Sequence, residues 1–419
     1  MMSVDIDWIR EQFPALSQEI NGQSAVFFDG PGGTQVPKSV IDAMSDYLLR
    51  SNANAHGVFA TSARTDALIT SARVAIADFL GCDPDEVVFG SNMTTLTFAF
   101  SRVIGRDLQP GDEIVVTRLD HDGNVSPWYA LEEKGVTVRV VEINEEDCTL
   151  DMRDLTRQIN QRTRVVAIGY ASNAVGTIND IATVVRLAHE VGALVFVDAV
   201  HYAPHGFIDV HELDCDFLIC SAYKFFGPHV GILYGKREHL TRLHPYKLRP
   251  APNEVPSRWE TGTQNHEGLA GLLATMEYLV ELGHRVLPSA SNHREAFRAA
   301  MEACHKYEAQ LCKYLIAGLL QIPGLTVYGI TDPARFVWRT PTVAIRLAEQ
   351  SPYSIAKALS DRGIFTWHGN FYALGLTEKL GVEDSGGFVR IGLVHYNTLE
   401  EIERLLKALS EIAALPLAS

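Results

Sequence analysis

Residues 195–235, VFVDAVHYAPHGFIDVHELDCDFLICSAYKFFGPHVGILYG, constrain the fold more than any other stretch of the chain. The apolar run VFV ends in Asp198, with His201 just beyond it. A polar turn and a short helix lead to a second apolar run, DFLIC, which delivers Ser221, Ala222, Tyr223 and Lys224. Gly227 and Pro228 then break the chain, and GILYG resumes an apolar run. Two buried strands that each present polar groups at their carboxyl ends describe the ligand crevice of an open α/β sheet. Apolar surroundings lower the proton affinity of a lysine amine there and make it a nucleophile. An aspartate one strand away can hold a positive charge on a ring nitrogen.

The surrounding sequence alternates strand and helix, which predicts a mostly parallel, doubly wound sheet. Residues 3–20 read as an amphipathic helix with Ile6, Ile9 and Phe13 on its apolar side. FFDGPGGTQVP (27–37) is a glycine-rich turn able to approach a ligand closely. A helix starts near Lys38, SNANAHG (51–57) is irregular, and a helix over 61–80 ends at Gly81. EVVFG (86–90) is a strand, and SNMTT (91–95) opens the next helix. Small polar residues at a helix start suit an anion as well as simple capping, with Asn92, Met93 and the Thr94 hydroxyl in reach. DEIVVTRLDHDGNVSPW (112–128) reads as the next strand and loop, and GVTVRVVEI (135–143) as a further strand. A strand over 163–173 ends in Ser172 and Asn173, and a helix covers 181–191. A helix from about Gly268 to Leu282 is stopped by Gly283. Beyond 287 the pattern changes to long helices and short strands, an α+β arrangement closed by a helix with Thr398 and Glu401 as its capping box. The expected organisation is an N-terminal segment (1–25) packed on the small domain, a large domain (26–286) and a small C-terminal domain (287–419).

The 419 residues carry a net charge of −15, which argues against a nucleic-acid partner. No apolar run approaches the roughly 20 residues of a membrane span. The start, MMSVDIDWIREQFP, carries acidic residues and no signal-peptide core, so a cytoplasmic location is expected. The six cysteines (82, 148, 215, 220, 304 and 312) include no C-x-x-C, and no metal site is expected.

A lysine nucleophile paired with a ring-nitrogen aspartate is what pyridoxal 5′-phosphate (PLP) requires of its protein. D-A-V-H followed by S-A-Y-K-F-F-G-P-H-V-G-I-L-Y-G resembles the class V aminotransferase superfamily of PLP enzymes, most closely the cysteine desulfurases and selenocysteine lyases. The resemblance runs over nearly the whole chain. It implies a PLP-dependent transferase of fold type I and a homodimer whose active sites are shared across the interface. It also implies residue roles. Lys224 binds the cofactor, Asp198 holds the ring nitrogen and His121 stacks on the ring and carries protons. Asn92, Met93, Thr94, Ser221 and Tyr223 surround the phosphate, Tyr223 standing where many relatives have histidine. Asn173 and His201 face the ring's 3′-oxygen. Thr263, in RWETGTQNH, reaches the partner subunit's phosphate, and Arg390, in FVRIGLVHYNT, grips the substrate carboxylate together with Asn173.

The loop GIFTWHGNFYA (363–373) departs from the family pattern. The desulfurases carry their sulfur-accepting cysteine where Tyr372 stands here, and an arginine where Trp367 stands. A phenol with an ordinary pKa near 10 cannot accept sulfur as a thiolate does. Asp120 likewise replaces a family glutamate. Trp367, His368 and Tyr372 are expected to shape a side-chain pocket with room for a large or weakly polar β-substituent. The expected activity is a C–S or β-lyase acting on an amino acid without a persulfide-forming cysteine. An aminotransferase or epimerase on the same fold is the alternative, and a catalytically inactive binding protein is the alternative of another class.

Overall fold

The computed structural model describes residues 4–414; residues 1–3 and 415–419, at the ends of the two outer segments, lie outside it. Seven strands form the central sheet: β1 (Val87–Gly90), β2 (Glu113–Thr117), β3 (Thr137–Val141), β4 (Thr163–Gly169), β5 (Leu194–Asp198), β6 (Phe217–Ser221) and β7 (Gly231–Gly235). Their order is β1-β7-β6-β5-β4-β2-β3. The pairs from β3 through β6 are parallel, and β7 runs antiparallel to both neighbours. The link 222–230 is too short for a parallel crossover, which takes about a dozen residues, so the chain turns back there. Both faces of the sheet are covered, and alternate residues of β5 serve opposite cores. Val195 and Val197 join Leu218 and Cys220 on one side, and Phe196 joins Phe217 and Ile219 on the other.

A second sheet of β8 (Leu325–Tyr328), β9 (Thr342–Leu347), β10 (Trp367–Gly369) and β11 (Phe388–Gly392) is antiparallel, in the order β8-β9-β11-β10. Its core joins Val343, Ile345, Val389 and Ile391 to Leu405 and Leu409 of the closing helix Leu399–Ala413. The capping box of Thr398 and Glu401 is formed as read. Val26 and Phe28 also pack in this second core, where Val26–Phe27 pairs with Ile364–Phe365. That pairing brings the glycine-rich turn to the junction of the two sheets.

Three expectations need correction. The first helix covers only Ile6–Glu11, because Pro14 forces Phe13 into extended backbone and opens a 3-10 turn. Ile9 and Phe13 are still buried, and Arg10 donates to the Tyr396 carbonyl (2.6 Å) and to Glu401 (2.8 Å). Strand β4 ends at Gly169, and Ser172 and Asn173 stand in the turn beyond it, where the Ser172 hydroxyl accepts from Ala174 and Val175 N–H (3.3 Å each). Gly283 does not stop its helix, which runs His266–Val286. A Cβ on Gly283 would stand 2.0 Å from the Ala296 carbonyl oxygen, so the glycine lets helix His293–Leu319 cross closely. Among the described residues no helix is long and apolar enough to cross a membrane.

Candidate active site

A cavity of about 700 Å³ opens at the carboxyl ends of β4, β5 and β6 and is walled on its far side by residues 367–372 and Arg390 of the second sheet. Lys224 enters it from the turn after β6, its amine donating to the Pro31 carbonyl of the glycine-rich turn. Burial, reinforced by Arg390 and opposed by Asp198, lowers the Lys224 pKa to about 7. Asp198 ends β5, and its Oδ1 accepts from Val200 N–H (2.9 Å). Burial, with that hydrogen bond opposing and the neighbouring Asp120 adding repulsion, raises its pKa to about 7. A carboxyl so placed is short of a positive partner.

Asp120 is more central than a residue replacing a glutamate suggests. Its buried carboxylate accepts from Thr117 Oγ1 (2.8 Å), Asn124 Nδ2 (2.9 Å) and Gly169 N–H (2.9 Å), fixing the loop that carries His121. The His121 Nδ1 accepts from Gly123 N–H (2.9 Å), which leaves the proton of the neutral ring on Nε2. Burial, then repulsion from Lys224, holds its pKa down to about 4. The Tyr372 ring stacks on it, centroids 5.3 Å apart.

Helix Met93–Ile104 points its start at the cavity. The Asn92 side chain caps it by accepting from Thr95 N–H, and Met93 N–H donates to Ser221 Oγ (both 2.9 Å). A Cβ on Gly231 would stand 2.6 Å from the Asn92 backbone, so that glycine is what lets β7 lie against this helix start. Tyr223 lines the cavity with its ring stacked on His229, centroids 4.8 Å apart. His201 is buried beside the cavity with Nε2 3.2 Å from Thr340 Oγ1.

Asn173 and Arg390 lie in direct contact. Arg390 Nη1 donates to the Asn173 carbonyl (2.8 Å), and Asn173 Nδ2 donates to the Phe371 carbonyl (2.9 Å). Burial lowers the Arg390 pKa to about 9, and Asp29 opposes this. Burial raises Asp29 in turn to about 6, and its Oδ1 is buried without a partner. Trp367, His368 and Tyr372 all line the cavity mouth. The Trp367 indole lies on Gly32, where any Cβ would meet it at 2.1 Å. Thr263 is exposed and does not line the cavity of its own chain.

Asp29 and Phe371 also face Arg390, and no local sequence signal marks either for that place. Asp29 sits in the recognised glycine-rich turn, but its approach to Arg390 depends on the strand pairing of residues 26–27. All six cysteines are free and none lines the cavity. Burial raises the Cys148 thiol to about 11 and pushes Cys304 and Cys312 up as well.

A family model for aminotransferase class V matches residues 26–405. The chain belongs to the class V aminotransferase family. Members of this family use PLP, and this one is a PLP-dependent enzyme of fold type I. It is 33% identical to a cysteine desulfurase of Pectobacterium carotovorum, over 98% of each chain. It is 32% identical to a probable cysteine desulfurase of Halalkalibacterium halodurans, over 96% of this chain and 97% of the relative. Among solved structures it is similar to a cysteine desulfurase of Thermococcus onnurineus in its apo form, with a TM-score of 0.87, 27% identity and 99% of both chains covered.

Proposed function

We propose that this class V aminotransferase family member is a PLP-dependent C–S lyase. It cleaves a β-substituent from an amino acid without lodging sulfur on one of its own cysteines. The observation that carries this reading is Tyr372: a phenol stands against His121 at the cavity mouth, and the cavity has no thiol in its wall.

The residues of the cavity fit the cofactor. Asp198 is a buried carboxyl with no salt-bridge partner among the described residues, and a protonated ring nitrogen would supply one. Lys224 has an amine that is neutral above a pH of about 7. Bound PLP supplies an electron sink for the bonds at the substrate's α-carbon. The chain's own groups do the rest. Lys224 holds the cofactor and takes the α-proton as general base. His121 covers the ring face in its neutral form, with the Nε2 proton available. Asn92, Met93, Thr94, Ser221 and Tyr223 hold the phosphate, and Asn173 and His201 flank the ring oxygen. Arg390 takes the substrate carboxylate, and Trp367, His368 and Tyr372 surround the β-substituent. The exposed Thr263 serves the site of a partner subunit, so the working unit is a homodimer.

In the elimination the α-proton is lost, the Cβ–S bond breaks and the sulfur leaves with its electron pair as a thiol or persulfide. Hydrolysis of the remaining enamine gives a 2-oxoacid and ammonia. The test is product analysis of the holoprotein with L-cystine and S-methyl-L-cysteine in the absence of any amino acceptor. Pyruvate with equal ammonia supports the reading. Turnover that appears only when a 2-oxoacid is added makes the protein an aminotransferase instead.

A further inference from the structure

The geometry points to Phe371 as the positioning residue of the carboxylate clamp: its ring holds the Arg390 guanidinium flat while its carbonyl holds the Asn173 amide. Three contacts close a ring. The Phe371 ring lies 4.1 Å from the Arg390 guanidinium carbon, Arg390 Nη1 donates to the Asn173 carbonyl (2.8 Å), and Asn173 Nδ2 donates to the Phe371 carbonyl (2.9 Å). Each leg comes from a different part of the chain: strand β11, the turn after β4, and the loop after β10. Removing the ring therefore frees the guanidinium from one face and loosens the loop that fixes the amide.

Two atoms of this assembly are buried and unpartnered: Arg390 Nε and Asn173 Oδ1. A buried N–H without an acceptor costs free energy that a ligand can recover. A guanidinium edge accepts a carboxylate through parallel hydrogen bonds, provided its plane is already set. The aromatic face sets that plane and repels no cation, because the ring quadrupole attracts it.

The backbone supports a functional role. Phe371 (φ +57°) and Tyr372 (φ +59°) both occupy the left-handed region, an arrangement that costs about 1 kcal/mol for each L-residue with a side chain. The strain is held by Asn173 on the Phe371 carbonyl, by Asp122 N–H on the Tyr372 carbonyl (2.6 Å), and by Asn370 Oδ1 on Tyr372 N–H (3.0 Å). A ring needed only for packing does not require two consecutive residues in this conformation.

The inference rests on the reading of Arg390 as the carboxylate grip, and the test separates the two. The holoenzyme's absorbance change is read in the first moments after mixing, before turnover, with S-methyl-L-cysteine and with its carboxylate-free counterpart, 2-(methylthio)ethylamine. Wild type, Phe371→Ala, Phe371→Leu and Phe371→Tyr are compared. The expected result is about tenfold weaker binding of the amino acid in the Ala and Leu variants, the size of a partly desolvated cation–π contact. Binding of the amine stays within about twofold, and Tyr restores the amino acid because it keeps the ring. Equal losses for both probes, or full affinity in the Leu variant, overturn the inference. A wild type that binds both probes alike overturns it through Arg390 itself, while the pyruvate assay above still judges the lyase reading.

Discussion

Tyr372 lies against His121 with ring centroids 5.3 Å apart and planes 27° from parallel, the phenol side of the stack being 70% exposed. The pair joins the second sheet to the loop after β2 and seals one side of the His121 imidazole from water. Burial is the first cause that holds His121 at about 4 rather than its ordinary 6.5. Tyr372→Ala opens the ring to solvent, so its pKa should climb toward 6.5. NMR titration of the imidazole protons checks this, and a value that stays near 4 would contradict it.

The Asp198 carboxyl contributes to the pH dependence of the cofactor-free chain. Its pKa rises from 3.8 to about 7 on folding. A group raised in this way contributes its full stability below its unfolded value and loses it as pH climbs through the folded value. Above a pH of about 7 the empty chain therefore carries a cost of roughly 4 kcal/mol at this site. Asp198→Asn should raise the melting temperature of the apoprotein in mild alkali and leave it unchanged in acid near the unfolded value. Added PLP should stabilise wild type more than the variant, because only a carboxylate pairs with a ring N–H. Equal stabilisation of both would remove Asp198 from its assigned place.

Lys224 should capture PLP with a midpoint near a pH of 7, since only the neutral amine is a nucleophile and burial lowers its pKa to about 7. The measurement is the rate at which a visible band appears when PLP is added to the apoprotein. A midpoint near the ordinary lysine value of 10.5 would show an amine open to water. Lys224→Ala should give no band at any pH.

Arg390→Lys keeps the charge and loses the fork. KM for an amino acid substrate should rise about ten- to a hundredfold, the worth of one charge-assisted hydrogen bond, with a smaller effect on kcat. An unchanged KM would mean that the carboxylate is held elsewhere.

Complementation tests the shared site. If Thr263 serves the partner's phosphate, a mixture of Lys224→Ala and Thr263→Ala chains should form heterodimers with one complete site and regain activity that neither variant has alone. A mixture no more active than the average of its parts would place Thr263 outside the site.

Much of the architecture was legible because it follows from local pattern. The runs VFVD and FLICS are apolar and bounded by polar turns, so β5 and β6 and the polar groups at their carboxyl ends could be read directly. Asn92 and Ser221 are found together because one starts a helix and the other ends a strand on the same edge of the sheet. Gly283 stands inside its helix, and a glycine there looks the same in sequence whether it ends the helix or admits a neighbour; only the approach of Ala296 decides. Pro14 lies inside the stretch whose apolar spacing predicts a helix, and it confines that helix to Ile6–Glu11. Asp120 was seen only as a departure from a family pattern, since three hydrogen bonds to its carboxylate come from parts of the chain that meet through folding. The Phe371–Arg390–Asn173 ring was hidden for the same reason.

The fate of sulfur separates elimination from transfer of sulfur to the chain. The holoprotein is incubated with excess L-cysteine, and its intact mass and the amino-acid products are measured together. A chain of unchanged mass, with pyruvate and ammonia in solution, is the expected result. A chain heavier by one sulfur atom per site, with alanine as the product, would contradict the account and identify one of the six cysteines as an acceptor.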